Sequence, residues 1–355
     1  MNVSATRLIS VDPLSIDFVA IENGTQEIRT TVTVDESWLG HIDDKILWRG
    51  TDHIASFSTS KDGKSSVVIR DSATQPPEVW AGPIGEWKQR THVNDGYHAT
   101  WGEAKSIEWT NDDFHIQGWL LYPADYSPAK HYPMVVQVHG GPAAAALNRW
   151  PNDTTALMAR HGFFVFMPNP RGSYGGGEAF TQANVKDFGY GDLRDILIGV
   201  DAVTKELPVD PRRIGIWGWS YGGYMTMFAV TQTQRFHAAV TGAGLANWQS
   251  YYGENDITEW MIPYFGASVY DDPAVYAKSS PMTFIKNVKT PTLVLVGERD
   301  GECPAPQSFE FWRALKTLNV PTQLVVYPDE GHRFVKPEHK RDLARRVVGW
   351  FEGRL

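Results

Sequence analysis

The 355-residue sequence has almost no cysteine, no excess of positive charge and no long apolar run, and each absence excludes a class of protein. Cys303 is the only cysteine, which excludes a disulfide within the chain and argues against a cysteine-based metal site. The formal net charge of −8 argues against a nucleic-acid partner and against an anionic membrane surface. No apolar run is long enough to cross a bilayer, and residues 1–20 lack the basic and apolar segments of a signal peptide. We therefore expect a cytoplasmic protein that uses no metal and no other cofactor.

The composition is otherwise that of an ordinary globular protein, with 42% hydrophobic and 21% charged residues. The length is sufficient for one large domain or two. The 14 tryptophans are many for this length. We expect most of them in an aromatic core and several in a pocket or an interface.

Residues 7–92 consist of short alternating runs separated by turn residues, which indicates antiparallel β-structure. Residues 53–92 have the pattern of four strands, the size of one propeller blade, and the stretch before them is expected to form another blade or a loose β-layer. One or two blades cannot close a propeller. We therefore interpret residues 1–100 as a β-rich accessory region, either a propeller remnant or a cover for a sheet edge.

From residue 101 onward, strands and helices alternate, which predicts an α/β domain with a doubly wound, mostly parallel sheet over residues 101–355. A hairpin signal at residues 111–113 opens this part. Residues 245–288 show no strand and are rich in aromatics, so we expect a helical insertion over the carboxyl edge of the sheet, where such folds bind ligands. The remaining predicted strands lie at residues 133–138, 163–167, 213–217, 238–241, 292–296 and 323–327, and predicted helices at 193–204, 224–231 and the C-terminus.

Residues 214–225 carry the pattern Gly-x-Ser-x-Gly between a short apolar run and a helix-forming stretch. This order predicts a nucleophile elbow, in which a buried strand turns sharply into a helix. Ser220 would then sit at the turn in a strained conformation with its hydroxyl above the sheet edge. Gly218 and Gly222 would be required where strand and helix nearly touch.

A serine hydroxyl needs a base, and that base needs a carboxylate that fixes its tautomer. Two later strands each end in a loop that supplies one of these groups, Asp300 after residues 292–297 and His332 after residues 323–327. The rival acids are Glu298, Asp329 and Glu330. Asp300 is favoured because it lies several residues past its strand, with room to reach the imidazole.

An oxyanion formed at Ser220 would need two fixed N–H donors. The backbone N–H of Tyr221 is the first candidate. The second would come from the loop His139-Gly140-Gly141-Pro142, with Gly141 preferred and Gly140 as the alternative. An ordinary Gly-Pro turn is the competing interpretation of that loop.

The aromatic insertion supplies candidate walls for a substrate pocket, although any one of its side chains could instead belong to the core. Arg171 and Asp192 are expected to form a structural ion pair rather than to catalyse. The candidate pocket residues are Trp248, Tyr251, Tyr252, Trp260, Ile262 and Tyr264.

Five motifs in order give the sequence from about residue 101 a close resemblance to the prolyl oligopeptidase family, nearest to its acylaminoacyl and dipeptidyl-peptidase-like branches. They are residues 139–142, residues 169–173, residues 218–224, Gly297 and Asp300 with Pro304 and Gln307, and residues 330–332. The resemblance implies an α/β-hydrolase domain, a triad of Ser220, Asp300 and His332, and cleavage after proline, alanine or apolar residues. Family members usually carry a complete propeller, of which only the end is expected here, and His139 resembles the acylaminoacyl branch.

Together these features predict a serine hydrolase that cleaves peptide or acyl-peptide bonds through an acyl-enzyme. The alternatives are a carboxylesterase acting on small esters and an inactive hydrolase fold used for binding. Unpaired strand edges and apolar surface from Trp80, Trp87 and Trp101 would favour a homo-oligomer, most simply a dimer.

Overall fold

The computed structural model describes the backbone of residues 4–12, 15–33 and 42–355, and side chains over residues 17–31 and 45–355. Residues 1–20, for which the sequence predicts no signal peptide, lie partly outside these ranges.

Two four-stranded antiparallel sheets form the N-terminal part of the described chain. The second sheet confirms the blade-like unit predicted over residues 53–92, because all four of its strands fall there. The first sheet consists of β1 (Ser4–Asp12), β2 (Ser15–Glu22), β3 (Thr25–Thr33) and β4 (Ile42–Gly50). The second consists of β5 (His53–Thr59), β6 (Ser66–Asp71), β7 (Glu78–Gly82) and β8 (Lys88–Gln89).

An eight-stranded mixed sheet forms the centre of the remaining chain, in the order β16-β15-β14-β13-β11-β12-β10-β9. The six strands from β16 to β12 are parallel, and β10 and β9 add an antiparallel hairpin at one edge. The strands are β9 (Ala104–Asn111), β10 (Phe114–Leu121), β11 (Tyr132–Val138), β12 (Phe164–Asn169), β13 (Val209–Trp219), β14 (Ala238–Gly242), β15 (Thr292–Gly297) and β16 (Thr322–Tyr327).

Helices cover both faces of this sheet, and successive residues of the inner strands are buried on opposite sides. Met134 and Val136 face one core cluster while Val135 faces the other, which contains helix residues such as Phe351. The helices are α1 (Asp153–Arg160), α2 (Gly177–Gln182), α3 (Gly191–Glu206), α4 (Tyr221–Gln232), α5 (Trp248–Glu254), α6 (Met261–Phe265), α7 (Pro273–Ser279), α8 (Ala305–Thr317) and α9 (Pro337–Glu352), with 3₁₀ turns at Thr258–Trp260 and Pro281–Asn287.

This is the α/β-hydrolase architecture, as the sequence predicts. The insertion over residues 245–288 is helical, as expected, and contains α5, α6 and α7. Helix α4 is buried along eleven consecutive residues, which matches a sequence that is apolar on all sides. Helices α1, α2 and α8 have no counterpart in the sequence prediction.

The small sheets contact the large domain both directly and through the segment between β8 and β9. Trp101 Nε1 donates to the carbonyl of Ala73 at 2.7 Å, and the N–H of Trp150 donates to Asp71 Oδ1 at 2.7 Å. Strand β8 ends at Gln89 and β9 begins at Ala104, so the predicted boundary near residue 100 falls in this segment and stays a prediction. Trp87, expected at the surface, is 7% exposed and donates its Nε1–H to Ser66.

Among the described residues, no helix is long and apolar enough to cross a membrane. Over the same residues, no group of three or more histidine, cysteine, aspartate or glutamate side chains could hold a metal ion.

Candidate active site

Ser220 lies at the sharp turn between β13 and α4, as the Gly-x-Ser-x-Gly pattern predicts. Its φ of 61° and ψ of −124° belong to a region that non-glycine residues rarely adopt. The turn is held on both sides, since Ser220 N donates to Gly242 O at 3.0 Å and Tyr224 N donates to Ser220 O at 2.9 Å. The backbone is therefore strained at the residue that carries the candidate nucleophile.

The two glycines of the motif are needed for close packing. A Cβ on Gly222 would lie 2.1 Å from the carbonyl oxygen of Val138, and a Cβ on Gly218 would lie 2.4 Å from the carbonyl carbon of Gly222. Neither neighbour is a flexible side chain. Strand β11, strand β13 and helix α4 thus meet at a distance that only glycine permits.

His332 and Asp300 lie side by side at the carboxyl ends of β16 and β15. His332 Nδ1 is 2.9 Å from Asp300 Oδ2 and 3.1 Å from Asp300 Oδ1. The Asp300 side chain has no exposed surface and also accepts the N–H of Cys303 at 2.8 Å through Oδ1. The arrangement orients the imidazole and leaves Nε2, the nitrogen that does not contact Asp300, for proton transfer.

The three rival acids are occupied elsewhere. Glu298 Oε2 accepts the N–H of Asp329 at 3.0 Å. The Asp329 carboxylate pairs with Arg299 and Lys336, and Glu330 accepts backbone N–H groups after the His332 loop. None of the three has a hydrogen bond to His332 in the part of the chain with described side chains.

The hydroxyl of Ser220 contacts a residue that the sequence analysis did not place in the active site. Ser220 Oγ is 3.8 Å from Cys303 Sγ, and within residues 45–355 no hydrogen bond joins it to His332. The neighbouring Trp219 donates its Nε1–H to His332 O at 3.1 Å, which ties the elbow to the histidine loop. Burial raises the pKa of Cys303 well above its usual value, so the thiol stays neutral beside the serine.

Both candidate sources of oxyanion donors adjoin Ser220. Tyr221 opens helix α4, so its N–H is one of the four without a partner inside the helix. A Cβ on Gly140 would lie 3.8 Å from Ser220 Oγ, and Gly141 lines the cavity beside Ser220. The choice between Gly140 and Gly141 remains open.

His139 fixes the glycine loop. Its Nδ1–H donates to Gly140 O at 2.7 Å, and its Nε2 is 2.9 Å from Ser173 Oγ. Burial lowers the pKa of His139 and so favours the neutral ring. In the neutral ring, Nε2 accepts a hydrogen bond from the Ser173 hydroxyl.

A cavity of about 140 Å³ opens beside Ser220. Of the pocket residues predicted from the sequence, Trp248, Tyr251 and Trp260 line it, whereas Tyr252, Ile262 and Tyr264 lie outside the lining. Consecutive residues of a helix point in different directions, so neighbouring aromatic side chains of the insertion face different sides. Tyr252, for example, packs against Tyr270 and Tyr276. The lining also includes residues that the prediction missed, namely Leu245, Ile257, Glu302 and Cys303.

The prediction of an ion pair between Arg171 and Asp192 is wrong. Arg171 instead pairs with Asp195 through two 2.8 Å contacts and with Asp112 through one. Asp192 accepts the hydroxyl of Tyr221 at 2.6 Å, and burial raises the pKa of Asp192 to about 7. A buried carboxyl group therefore supports the residue directly after Ser220.

Comparison with known proteins gives consistent matches. The profile described as the prolyl oligopeptidase family matches residues 151–355. A Bacillus subtilis (strain 168) protein named uncharacterized peptidase YuxL is 35% identical over 316 residues, or 86% of this chain and 48% of that protein. The acylamino-acid-releasing enzyme of Homo sapiens is 30% identical over 261 residues, or 71% of this chain and 35% of the enzyme.

A solved structure of Pyrococcus horikoshii acylaminoacyl peptidase superimposes with a TM-score of 0.87 at 27% identity. The superposition covers 100% of this chain and 56% of that one. The chain thus spans about half the length of these relatives or less.

Proposed function

Because this chain belongs to the prolyl oligopeptidase family, we propose that it is a serine peptidase that cleaves peptide or acyl-peptide bonds through an acyl-enzyme. The observation that carries the proposal is the paired placement of a strained Ser220 at the elbow and an Asp300–His332 couple beside it. These are the parts that nucleophilic acyl transfer requires.

In the proposed reaction, the Ser220 hydroxyl turns from Cys303 toward His332 Nε2, a contact that often tightens only when substrate binds. Nε2 takes the proton as Oγ bonds to the substrate carbonyl carbon. The imidazolium then returns that proton to the leaving nitrogen as the C–N bond breaks. Water, deprotonated by the same nitrogen, attacks the ester and releases the acid and Ser220.

Asp300 and two backbone N–H donors would lower the barrier of this reaction. Asp300 would hold the proton on Nδ1 and stabilise the imidazolium. The N–H of Tyr221 and one N–H from Gly140 or Gly141 would receive the negative charge on the carbonyl oxygen. Each of these donors is a backbone N–H whose position is fixed by α4 or by the loop after β11. Neither donor therefore needs to move during the reaction.

The cavity beside Ser220 favours an apolar residue on the acyl side of the cleaved bond. Its volume of about 140 Å³ is close to that of an apolar protein cavity that accepts benzene, about 150 Å³. The walls from Trp248, Tyr251 and Trp260 suit a flat or aliphatic side chain. Proline, alanine and larger apolar residues are the proposed preference.

Relative rates on an aminoacyl p-nitroanilide and a short-chain p-nitrophenyl ester test the proposal against a carboxylesterase. A peptidase hydrolyses both, because activated esters are easier substrates. Hydrolysis of the ester alone would make the protein a carboxylesterase, and hydrolysis of neither would favour an inactive binding protein.

A further inference from the structure

Among the described residues that line the cavity beside Ser220, Glu302 is the one with a carboxylate, ammonium or guanidinium side chain. Its Oε2 lies 3.7 Å from His332 Nε2, the nitrogen that serves as base in the proposed reaction. Within residues 17–31 and 45–355, no lysine or arginine forms an ion pair with it. A carboxylate without a fixed cationic partner therefore adjoins the reacting atoms.

The loop that carries Glu302 is held by three hydrogen bonds. Tyr251 donates its hydroxyl to Glu302 O at 2.8 Å, and Cys303 N donates to Asp300 Oδ1 at 2.8 Å. Asp256 N donates to Gly301 O at 2.9 Å. The Glu302 backbone is thus fixed between the acid Asp300 and the cavity wall, which limits where its carboxylate can reach.

Substrate geometry places one particular group within that reach. When the acyl-side residue has its side chain in the cavity, its carbonyl carbon lies about 3 Å from Ser220 Oγ. Its α-nitrogen is about 2.5 Å from that carbon, two bonds away. Both atoms then lie close to His332 Nε2 and hence to Glu302. A free α-amino group is a cation at neutral pH, whereas an acylated one is a neutral amide.

We propose that Glu302 selects substrates whose attacked residue carries a free, protonated α-amino group over the N-acylated forms of the same residue. This inference rests on the proposed function and narrows its substrate class to unblocked N-terminal residues with apolar side chains. An ion pair between the ammonium group and Glu302 would hold the carbonyl carbon against Ser220. The acylated form would offer the carboxylate only a neutral N–H.

The side chain of Glu302 is 51% exposed, so water screens the interaction and its effect is moderate. We expect the ratio of kcat/KM for phenylalanine p-nitroanilide to that for its N-acetyl derivative to fall about fivefold in Glu302→Gln, which corresponds to about 1 kcal/mol. Glu302→Asp, which keeps the charge on a shorter stem, should give an intermediate ratio.

Glu259→Gln is the matched control, because Glu259 is also an acidic residue, lies in the helical insertion that walls the cavity and is outside the cavity lining. Its ratio should equal that of the wild type. An unchanged ratio in Glu302→Gln, or an equal fall in Glu259→Gln, would overturn the role of Glu302 while leaving the peptidase proposal intact. A wild-type protein that hydrolyses neither anilide and resists a fluorophosphonate would overturn both.

Discussion

Replacement of Asp300 by Asn is the change whose effect can be worked out most fully from the structure. Cys303 N donates to Oδ1, so the amide oxygen of the variant would keep that position and the amide NH₂ would replace Oδ2. Oδ2 is the atom 2.9 Å from His332 Nδ1. Two donors would then face each other, and the imidazole would move its proton to Nε2. In that tautomer it cannot accept the Ser220 proton.

We expect kcat to fall about 10³- to 10⁴-fold, or about 4–5.5 kcal/mol at 1.36 kcal/mol per decade, as the same change does in a serine protease of unrelated fold. Initial rates on an aminoacyl p-nitroanilide measure this, with thermal unfolding to verify that the variant is folded. Glu298→Gln is the matched control. Its amide oxygen can still accept the Asp329 N–H, so kcat should stay within about twofold. Near wild-type turnover in Asp300→Asn, or a larger loss in Glu298→Gln, would refute the assignment.

Three further predictions concern stability and assembly. Burial raises the pKa of Asp192 to about 7, so the folded state keeps a proton that the unfolded chain loses near pH 4. The stability that this group contributes is full below about pH 4 and is lost as the pH rises through 7, and the free energy of unfolding falls by about 2–3 kcal/mol between pH 5 and pH 8. Asp192→Asn should remove this fall when unfolding by urea is measured across the same pH range. An unchanged pH dependence in the variant would show that Asp192 is not its cause. Gly222→Ala should lower the free energy of unfolding by at least about 2–3 kcal/mol, because the new Cβ would collide with Val138 O. Gly349→Ala, with open space around the new Cβ, should not lower it. Equal melting temperatures of the two variants would contradict this prediction. The homodimer stays a prediction: Val67 and Ile69 expose apolar side chains that a second copy would cover, and a monomer mass by light scattering at micromolar concentration would exclude the dimer.

The sequence predicts the elbow well because its constraints are local. Gly218 and Ser220 are dictated by the turn between a strand and the helix that directly follows it, and Gly222 by the close approach of the neighbouring strand β11. The apolar runs likewise predict the parallel strands within a few residues, since all of these strands except the edge strand β16 are largely buried on both faces. Asp300 and His332 follow from strand order, because the carboxyl ends of parallel strands share one edge.

The partner of Arg171 could not be predicted in this way. Asp192 and Asp195 lie three residues apart on α3, on the same side of the helix, and only the packing of α3 against β9 and β12 decides which of them meets the guanidinium. The same limit applies to the cavity. Whether Tyr251 or Tyr252 faces Ser220 depends on the rotation of a seven-residue helix, which periodicity over so short a length does not fix.

Glu302 and Cys303 were missed for a related reason. They belong to a loop without regular structure, where no repeating pattern assigns a direction to a side chain. A usable signal was their position, two and three residues after the candidate acid Asp300 on the active edge of the sheet. The side chains of Glu302 and Cys303 both lie near the nucleophile.

Labelling by a fluorophosphonate tests most directly the claim that Ser220 is the nucleophile of a serine hydrolase. The reagent should add once to the native protein, and mass spectrometry should locate the adduct on the peptide that contains Ser220. Ser220→Ala should fold normally, remain unlabelled and lose several orders of magnitude in kcat. Labelling of Ser220→Ala to the same extent, or near wild-type turnover of a small ester by that variant, would contradict the account.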